Sequence, residues 1–279
     1  MPSPKALKPK RDINQLPRKK AVFFLLSVYP IKTEVIKPNT DLAKTIADSL
    51  YAANLTPRDG DVIAISAKVV SFSEGNLIRL EGIRPSSLAY SLANKYSLPP
   101  EFVEAILAEA DEVLGGVSGA LLTIKNNIIV ANAGLDLSNA PPGYAIPWPK
   151  DPKSSCEKLR KKLRELLKAD ICTMITDSKV HPLRLGSTSI ALAVSGFQPV
   201  EDLRGSQDLF GKTIKIKRMA LADALACAAQ LVMGEARESC PAALIRGISL
   251  KRVNSSFSTE MTISKDECLY LKNLKPSFD

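Results

Sequence analysis

Two carboxylates stand where chemistry could be done. Asp136 lies in Ala131-Asn132-Ala133-Gly134-Leu135-Asp136-Leu137-Ser138-Asn139, just after the strand-like apolar run Leu121 to Val130. Asp177 lies in Ile175-Thr176-Asp177-Ser178, just after the run Ile171 to Ile175. Ligands of open α/β folds gather beyond the carboxyl ends of strands, and two carboxylates delivered there could share a pair of divalent metals bound to a nucleotide. Either aspartate alone could equally be a loop residue at a strand end. A third carboxylate, Glu235, follows Leu231-Val232-Met233-Gly234 at the end of a helical pattern. A helix C-terminus disfavours negative charge, and a nearby cation would offset that cost. Gly134 and Gly234 would let backbone approach a phosphate closely, although simple turns explain them as well.

Other chemistries find less support. His181 is the only histidine, and nothing near it in sequence recommends it as a general base. The five cysteines are scattered, without a C-x-x-C pair, which speaks against a zinc site or a disulfide framework. Cys172 and Cys227 are expected to be buried small hydrophobes, in a strand and a helix respectively. Gly205-Ser206-Gln207-Asp208-Leu209-Phe210-Gly211-Lys212-Thr213 ends like a phosphate-binding loop. However, five residues separate its glycines where that loop has four, and it runs from polar loop into a predicted strand. It is not a Walker A motif.

The elements that must position the carboxylates alternate. Asp41 to Asn54 has helical spacing, and Pro57-Arg58-Asp59-Gly60 is a turn into the buried strand Asp61 to Ile65. Helices are predicted from Pro85 to Tyr96 and from Pro100 to Leu114, each opened by proline. Two strands joined at Asn126-Asn127 lead into the Asp136 segment. After a loop from Pro141 to Pro149, Asp151-Pro152 opens an amphipathic helix to Lys168, whose Lys158, Arg160, Lys161, Lys162 and Arg164 read as a solvated face. Strands are predicted at Ser189 to Gly196 and at Lys212 to Lys217, the second with alternating isoleucine and lysine, and a helix from Ala220 to Met233.

With 279 residues and 45% hydrophobic content the chain can bury a sizeable core. Its net charge of +9 is concentrated at the start, where seven basic side chains stand against Asp12 in residues 1–20. That tail is expected to be a solvated, disordered leader, and nucleic acid and membrane are not expected partners. Ala21 to Val28 reads as a first strand and not as the apolar core of a secretory signal. No run of eighteen or more apolar residues occurs, so no membrane helix is expected and a cytoplasmic location is. The expected organisation is a tail (1–20), a catalytic domain (21–250) and a polar C-terminal surface appendage (251–279).

The order of several segments then carries a resemblance. Asp59-Gly60-Asp61-Val62, Ser73-Glu74-Gly75, the Ala131 to Asn139 segment, Asp151-Pro152, Thr176-Asp177-Ser178, Asp202-Leu203-Arg204-Gly205, Asp208-Leu209-Phe210-Gly211, Ala222-Asp223 and Met233-Gly234-Glu235 together resemble the coenzyme F420-0:γ-glutamyl ligase family, over about residues 27 to 247. The resemblance implies an α/β (α+β) fold of two intertwined subdomains, neither P-loop nor ATP-grasp, and a homodimer. It implies a GTP-dependent ligase that phosphorylates a terminal carboxylate, after which the amine of L-glutamate displaces phosphate from the acyl phosphate. By position, Asp136, Asp177, the Ser178 hydroxyl and Glu235 would ligate two divalent metals, Mg2+ or Mn2+, with a monovalent cation in addition. Asn139, Met233, Gly234, Glu235 and Ala236 would contact GTP. Oxygen ligands from Asp, Glu and Ser are what such hard cations take.

Departures from the family pattern bear on the substrate. Phe72, in Ser71-Phe72-Ser73-Glu74-Gly75, replaces a lysine expected at the nucleotide, and Lys68, four residues earlier, could compensate. The early segment Thr33-Glu34-Val35-Ile36 matches the family's nucleotide-contacting segment poorly. In Ser178-Lys179-Val180-His181-Pro182-Leu183-Arg184 a glycine, an arginine and a tryptophan of the family are missing, while Arg184 remains as a catalytic candidate to meet an anionic substrate. The small-molecule acceptor could thus be F420-0 or a folate- or pterin-type carboxylate. A non-catalytic nucleotide-binding homologue and a basic nucleic-acid-binding protein are the competing classes.

Overall fold

Val62-Ile63-Ala64-Ile65 is apolar at every position, the mark of a strand buried on both faces. In the computed structural model, which describes residues 25–273, it lies inside a six-stranded sheet. That sheet comprises β1 (Ser27–Ile31), β2 (Val62–Ser66), β8 (Cys172–Val180), β9 (Ser187–Phe197), β12 (Ala242–Arg246) and β13 (Arg252–Phe257), in the order β1-β12-β2-β8-β9-β13. β2 and β8 run parallel, from Val62 opposite Cys172 to Ser66 opposite Thr176. The other neighbours are antiparallel.

The period of two along a strand divides the core. Ile63, Ile65 and Ile175 point to one face, packed with α1 (Leu42–Ala52), α2 (Ala67–Ser73) and α5 (Pro152–Leu167). Val62, Ala64 and Met174 point to the other, covered by α6 (Leu221–Met233). α5 starts where the sequence places it: Asp151 accepts a hydrogen bond from the Ser154 backbone N–H, and Pro152 occupies the first turn.

Between α2 and α5 the chain leaves this sheet and builds a second core. α3 (Ser87–Tyr96) and α4 (Pro100–Glu109) pack Ala93, Phe102 and Ile106 against Leu121. The sheet here is β4 (Glu112–Val117), β5 (Ala120–Lys125) and β6 (Ile128–Ala131). Asn126 and Asn127, at φ 52° and 59°, form the two-residue turn between β5 and β6. β3 (Ile78–Arg79) pairs with β7 (Tyr144–Ala145) beside it. The architecture is mixed α/β with seven helices and four sheets among the described residues. No helix among them is long and apolar enough to cross a membrane.

Several expectations need correction. α4 ends at Glu109 and not at Leu114, because Ala110 turns extended and residues 112–117 pair with β5. Lys212 to Lys217 is not a strand: no core lies beneath it, Ile216 is solvent-exposed, and only Thr213 forms a bridge, to Gln207. The strand falls later, at β11 (Arg218–Ala220), paired with β10 (Val200–Asp202). Arg160 is buried, not solvated; it donates to the Ile171 carbonyl at 2.9 Å and pairs with Asp170. The segment after Leu250, expected as an appendage, supplies edge strand β13, followed by the short α7 (Leu269–Asn273). The basic tail and the first four residues of the expected strand from Ala21 lie outside the described residues.

Candidate active site

The carboxyl end of β2, at Ser66, lies beside Thr176 within β8, which runs on to Val180; a cavity of about 940 Å³ opens where this parallel pairing stops. α2 follows β2 directly and carries Lys68 and Phe72, one helical turn apart, into the cavity wall. Asp136, Asp177, Ser178 and Glu235 line the same cavity.

Asp136 arrives through an unusual turn. Asn132, Ala133 and Gly134 are consecutively left-handed, at φ 52°, 52° and 72°. Asn132 Oδ1 accepts from the Leu121 N–H at 2.8 Å, and Thr123 Oγ1 accepts from the Ala133 N–H at 2.8 Å, so the turn is stitched to β5. Asparagine tolerates the left-handed region and glycine is free of its cost. Gly134 has a second reason: a Cβ there would lie 2.4 Å from the indole Nε1 of Trp148. The turn releases Asp136 into a bridge with Ile146, its N–H donating to the Ile146 carbonyl at 3.0 Å.

The side chain of Asp136 is then held by donors. Lys68 Nζ lies 2.6 Å from Oδ2 and donates to Ser138 Oγ at 2.9 Å, while the Ser138 N–H donates to Oδ1 at 2.6 Å. Burial opposes ionisation of Asp136, but Lys68 and Ser138 outweigh it and keep the carboxyl below its ordinary value.

Asp177 and Ser178 are adjacent on β8 and therefore face opposite sides of the sheet. Asp177 shares the side of Ile175 and accepts a hydrogen bond from Trp148 Nε1 at 2.6 Å. Ser178 shares the side of Met174 and α6, and its hydroxyl lies 2.8 Å from each carboxylate oxygen of Glu235. Gln230, one turn before the end of α6, also donates to Glu235. Burial pushes the Asp177 carboxyl up to about 6 against the pull of Trp148 and the Ser178 N–H, and the negative charge of Asp136 adds to the rise.

Met233, Gly234 and Ala236 line the cavity beside Glu235, and Asn139 Nδ2 donates to the Ala236 carbonyl at 3.0 Å, joining the two loops across its mouth. Arg184 is not brought to this cavity: it is exposed in the connection between β8 and β9. His181 is exposed on the same connection and bonds to Thr188. The Gly205 to Thr213 segment is an exposed loop between β10 and β11, outside the cavity. The five cysteines are free. Cys172 is buried in β8 as expected, while Cys227 on α6 is only half-buried.

Among the described residues no three acidic, histidine or cysteine side chains cluster as they would around an ion. Each acidic group is paired instead with a donor of its own: Asp136 with Lys68, Asp177 with Trp148, and Glu235 with Ser178 and Gln230.

Residues 30–247 match the family described as F420-0:gamma-glutamyl ligase. This chain belongs to that family. It is similar to the coenzyme F420:L-glutamate ligase of Methanopyrus kandleri, 43% identical over 225 residues, covering 80% of this chain and 87% of the relative. The ligase of the same name from Methanothermobacter thermautotrophicus is 39% identical over 208 residues, 74% of this chain and 82% of the relative. That from Archaeoglobus fulgidus is 34% identical over 226 residues, 81% and 89%. The chain is thus an enzyme of the carbon–nitrogen ligase class.

Within this γ-glutamyl ligase, two residues escaped the sequence reading: Trp148, which bonds to Asp177 without lining the cavity itself, and Gln230, which lines it. Trp148 sat in what read as a plain loop, and its signal was being the only tryptophan. Gln230 lies in the last turn of α6, just before the loop that carries Glu235. Thr33 to Ile36, a poor match to the family segment, nonetheless lines the cavity, fixed by the Thr33 N–H bonding to Ser239.

Proposed function

We propose that this chain joins L-glutamate to the terminal carboxylate of an F420-type cofactor, with GTP as the source of energy. The observation that carries the reading is the convergence of Asp136, Asp177, Ser178 and Glu235 on one cavity where the parallel pairing of β2 with β8 stops, in a member of this family. The acceptor carboxylate takes the γ-phosphoryl group of GTP with departure of GDP. The glutamate amine then attacks the acyl carbon, phosphate leaves, and the amine loses its proton.

The donor set contains only oxygens, which fits hard divalent cations. Asp136, Asp177, the Ser178 hydroxyl and Glu235 would hold two such ions, Mg2+ or Mn2+. When bound, they screen the charge between the anionic triphosphate and the attacking carboxylate. Lys68 supplies a further cation at the same place, able to exchange Asp136 for a phosphate oxygen. Asn139 and the loop from Met233 to Ala236 frame the nucleotide, a device distinct from the P-loop and ATP-grasp. Cavity walls such as Ile36, Val69 and Phe72 exclude water from the acyl phosphate. The working unit in this reading is a homodimer.

The test is mass spectrometry after incubating the protein with GTP or ATP, Mg2+ or Mn2+, L-glutamate, and either F420-0 or reduced folates. F420-0 heavier by one glutamyl residue is the expected product, with GTP the better nucleotide. A glutamylated folate in its place would replace the acceptor, and no product from any combination would defeat the reading.

A further inference from the structure

Trp148 is only 4% exposed, and a buried indole N–H needs an acceptor. The acceptor is Asp177 Oδ2 at 2.6 Å, on a strand 29 residues away. The ring has little freedom to choose another. Gly134 presses a bare α-carbon against the five-membered ring of the indole, at a distance where any Cβ would collide. The Lys125 ammonium lies 5.6 Å from the ring centroid. The Trp148 carbonyl accepts from Asn76 Nδ2 at 3.0 Å, and the side chain belongs to the core that includes Val130 and Ile175. One oxygen of Asp177 is thereby committed to a fixed donor, which sets the plane of the carboxylate.

Resting on the metal reading above, we infer that Trp148 is the positioning residue of the metal site: its clamped indole N–H holds the Asp177 carboxylate in the orientation that receives a divalent cation. The Gly134 of the Asp136 segment then acts on Asp177 through Trp148, so one turn shapes both aspartates. Donors behind a metal-binding group fix its orientation in just this way, and their loss weakens metal affinity by about 10- to 100-fold.

Because Trp148 is the only tryptophan, the whole chain can be produced with benzothienylalanine in its place, which swaps the N–H for sulfur and keeps the ring shape. Mn2+ is titrated by calorimetry, alone and with GDP present, into the wild type, the benzothienyl protein, Trp148→Phe and Asp177→Asn. The expected result is a loss of about tenfold or more in Mn2+ affinity for the benzothienyl protein and Trp148→Phe, with the thermal midpoint of the benzothienyl protein kept. Mn2+ should also quench the wild-type tryptophan emission. Unchanged Mn2+ affinity in the benzothienyl protein overturns the positioning role and leaves the metal reading intact. If the wild type takes up no Mn2+, or Asp177→Asn binds it equally well, the metal reading falls and the inference falls with it.

Discussion

Asp136 and Asp177 share a cavity but stand in opposite electrostatic situations. Asp136 is held below its ordinary carboxyl value by Lys68 and Ser138 despite burial, so it is ionised throughout the neutral range. Burial raises Asp177 to about 6. A carboxyl raised in the folded state binds more protons than in the unfolded chain between the two values, so its ionisation at neutral pH costs stability. That cost shrinks as the pH falls below about 6 and is gone only near the ordinary value of 3.8. Asp177→Asn carries no such cost. The thermal midpoint of the wild type without added metal should therefore gain on that of Asp177→Asn between about pH 7.5 and pH 5. A difference that stays flat, or moves against the wild type, would show that Asp177 is not raised. Protons also compete with cations for the same oxygen, so Mn2+ affinity should fall over the same window.

At the level of elements, the turn at residues 132–134 links sequence to site. Its left-handed backbone and the tryptophan ring make different demands on Gly134, and a second glycine separates them. Gly143 has φ 79° and open space where a Cβ would go, whereas Gly134 has φ 72° and a collision with Trp148. Gly143→Ala should cost about 1 kcal/mol, the strain of a left-handed alanine. Gly134→Ala should cost about 2 kcal/mol more, as the ring is displaced, and should shift the tryptophan emission. Denaturant titrations of the two variants check this; equal losses with unchanged emission would mean that the indole is not clamped.

The same contrast explains what could be read in the sequence. The Asn126-Asn127 hairpin, the caps of α5 and the buried strand β2 depend on neighbours in sequence, and their signals are local. Lys212 to Lys217 has a strand's alternation, but alternation specifies a strand only where a core receives one face, and Ile216 meets none. β13 is polar and edge-placed, held by pairing with β9 and by a hydroxyl contact between Ser256 and Ser195 rather than by apolar burial. The acidic members of the site were legible because each follows a recognisable apolar run, although β8 continues past Asp177 to Val180. Their donors Trp148 and Lys68 were harder to see, since their contacts to Asp177 and Asp136 join segments far apart in the chain.

For the molecule as a whole, the unmet demand is apolar surface. The connection between β10 and β11 is internally bonded: Gly205 donates to the Ile214 carbonyl, Ile214 to the Ser206 carbonyl, and Asp208 Oδ1 accepts from Phe210 and Lys212. This ordered loop nevertheless exposes Leu209 at 99% and Phe210 at 93%. Leu183 and Leu185 are as exposed in the β8 to β9 connection, which continues from the strand bearing Asp177. A rigid loop that spends backbone order on displaying leucine and phenylalanine to water gains stability only if another surface covers them, at about 25 cal/mol per Å² of apolar area buried. The proposed homodimer supplies that surface from a second copy. Sedimentation should give twice the chain mass, and the double substitution Leu209→Asp and Phe210→Asp should give the single chain mass with unchanged circular dichroism. Since burial across a dimer makes stability depend on protomer concentration, the wild-type thermal midpoint should rise with concentration and that of the double variant should not. A wild type that sediments as a single chain, or a double variant that remains dimeric, would mean that these side chains are covered by something other than the partner proposed.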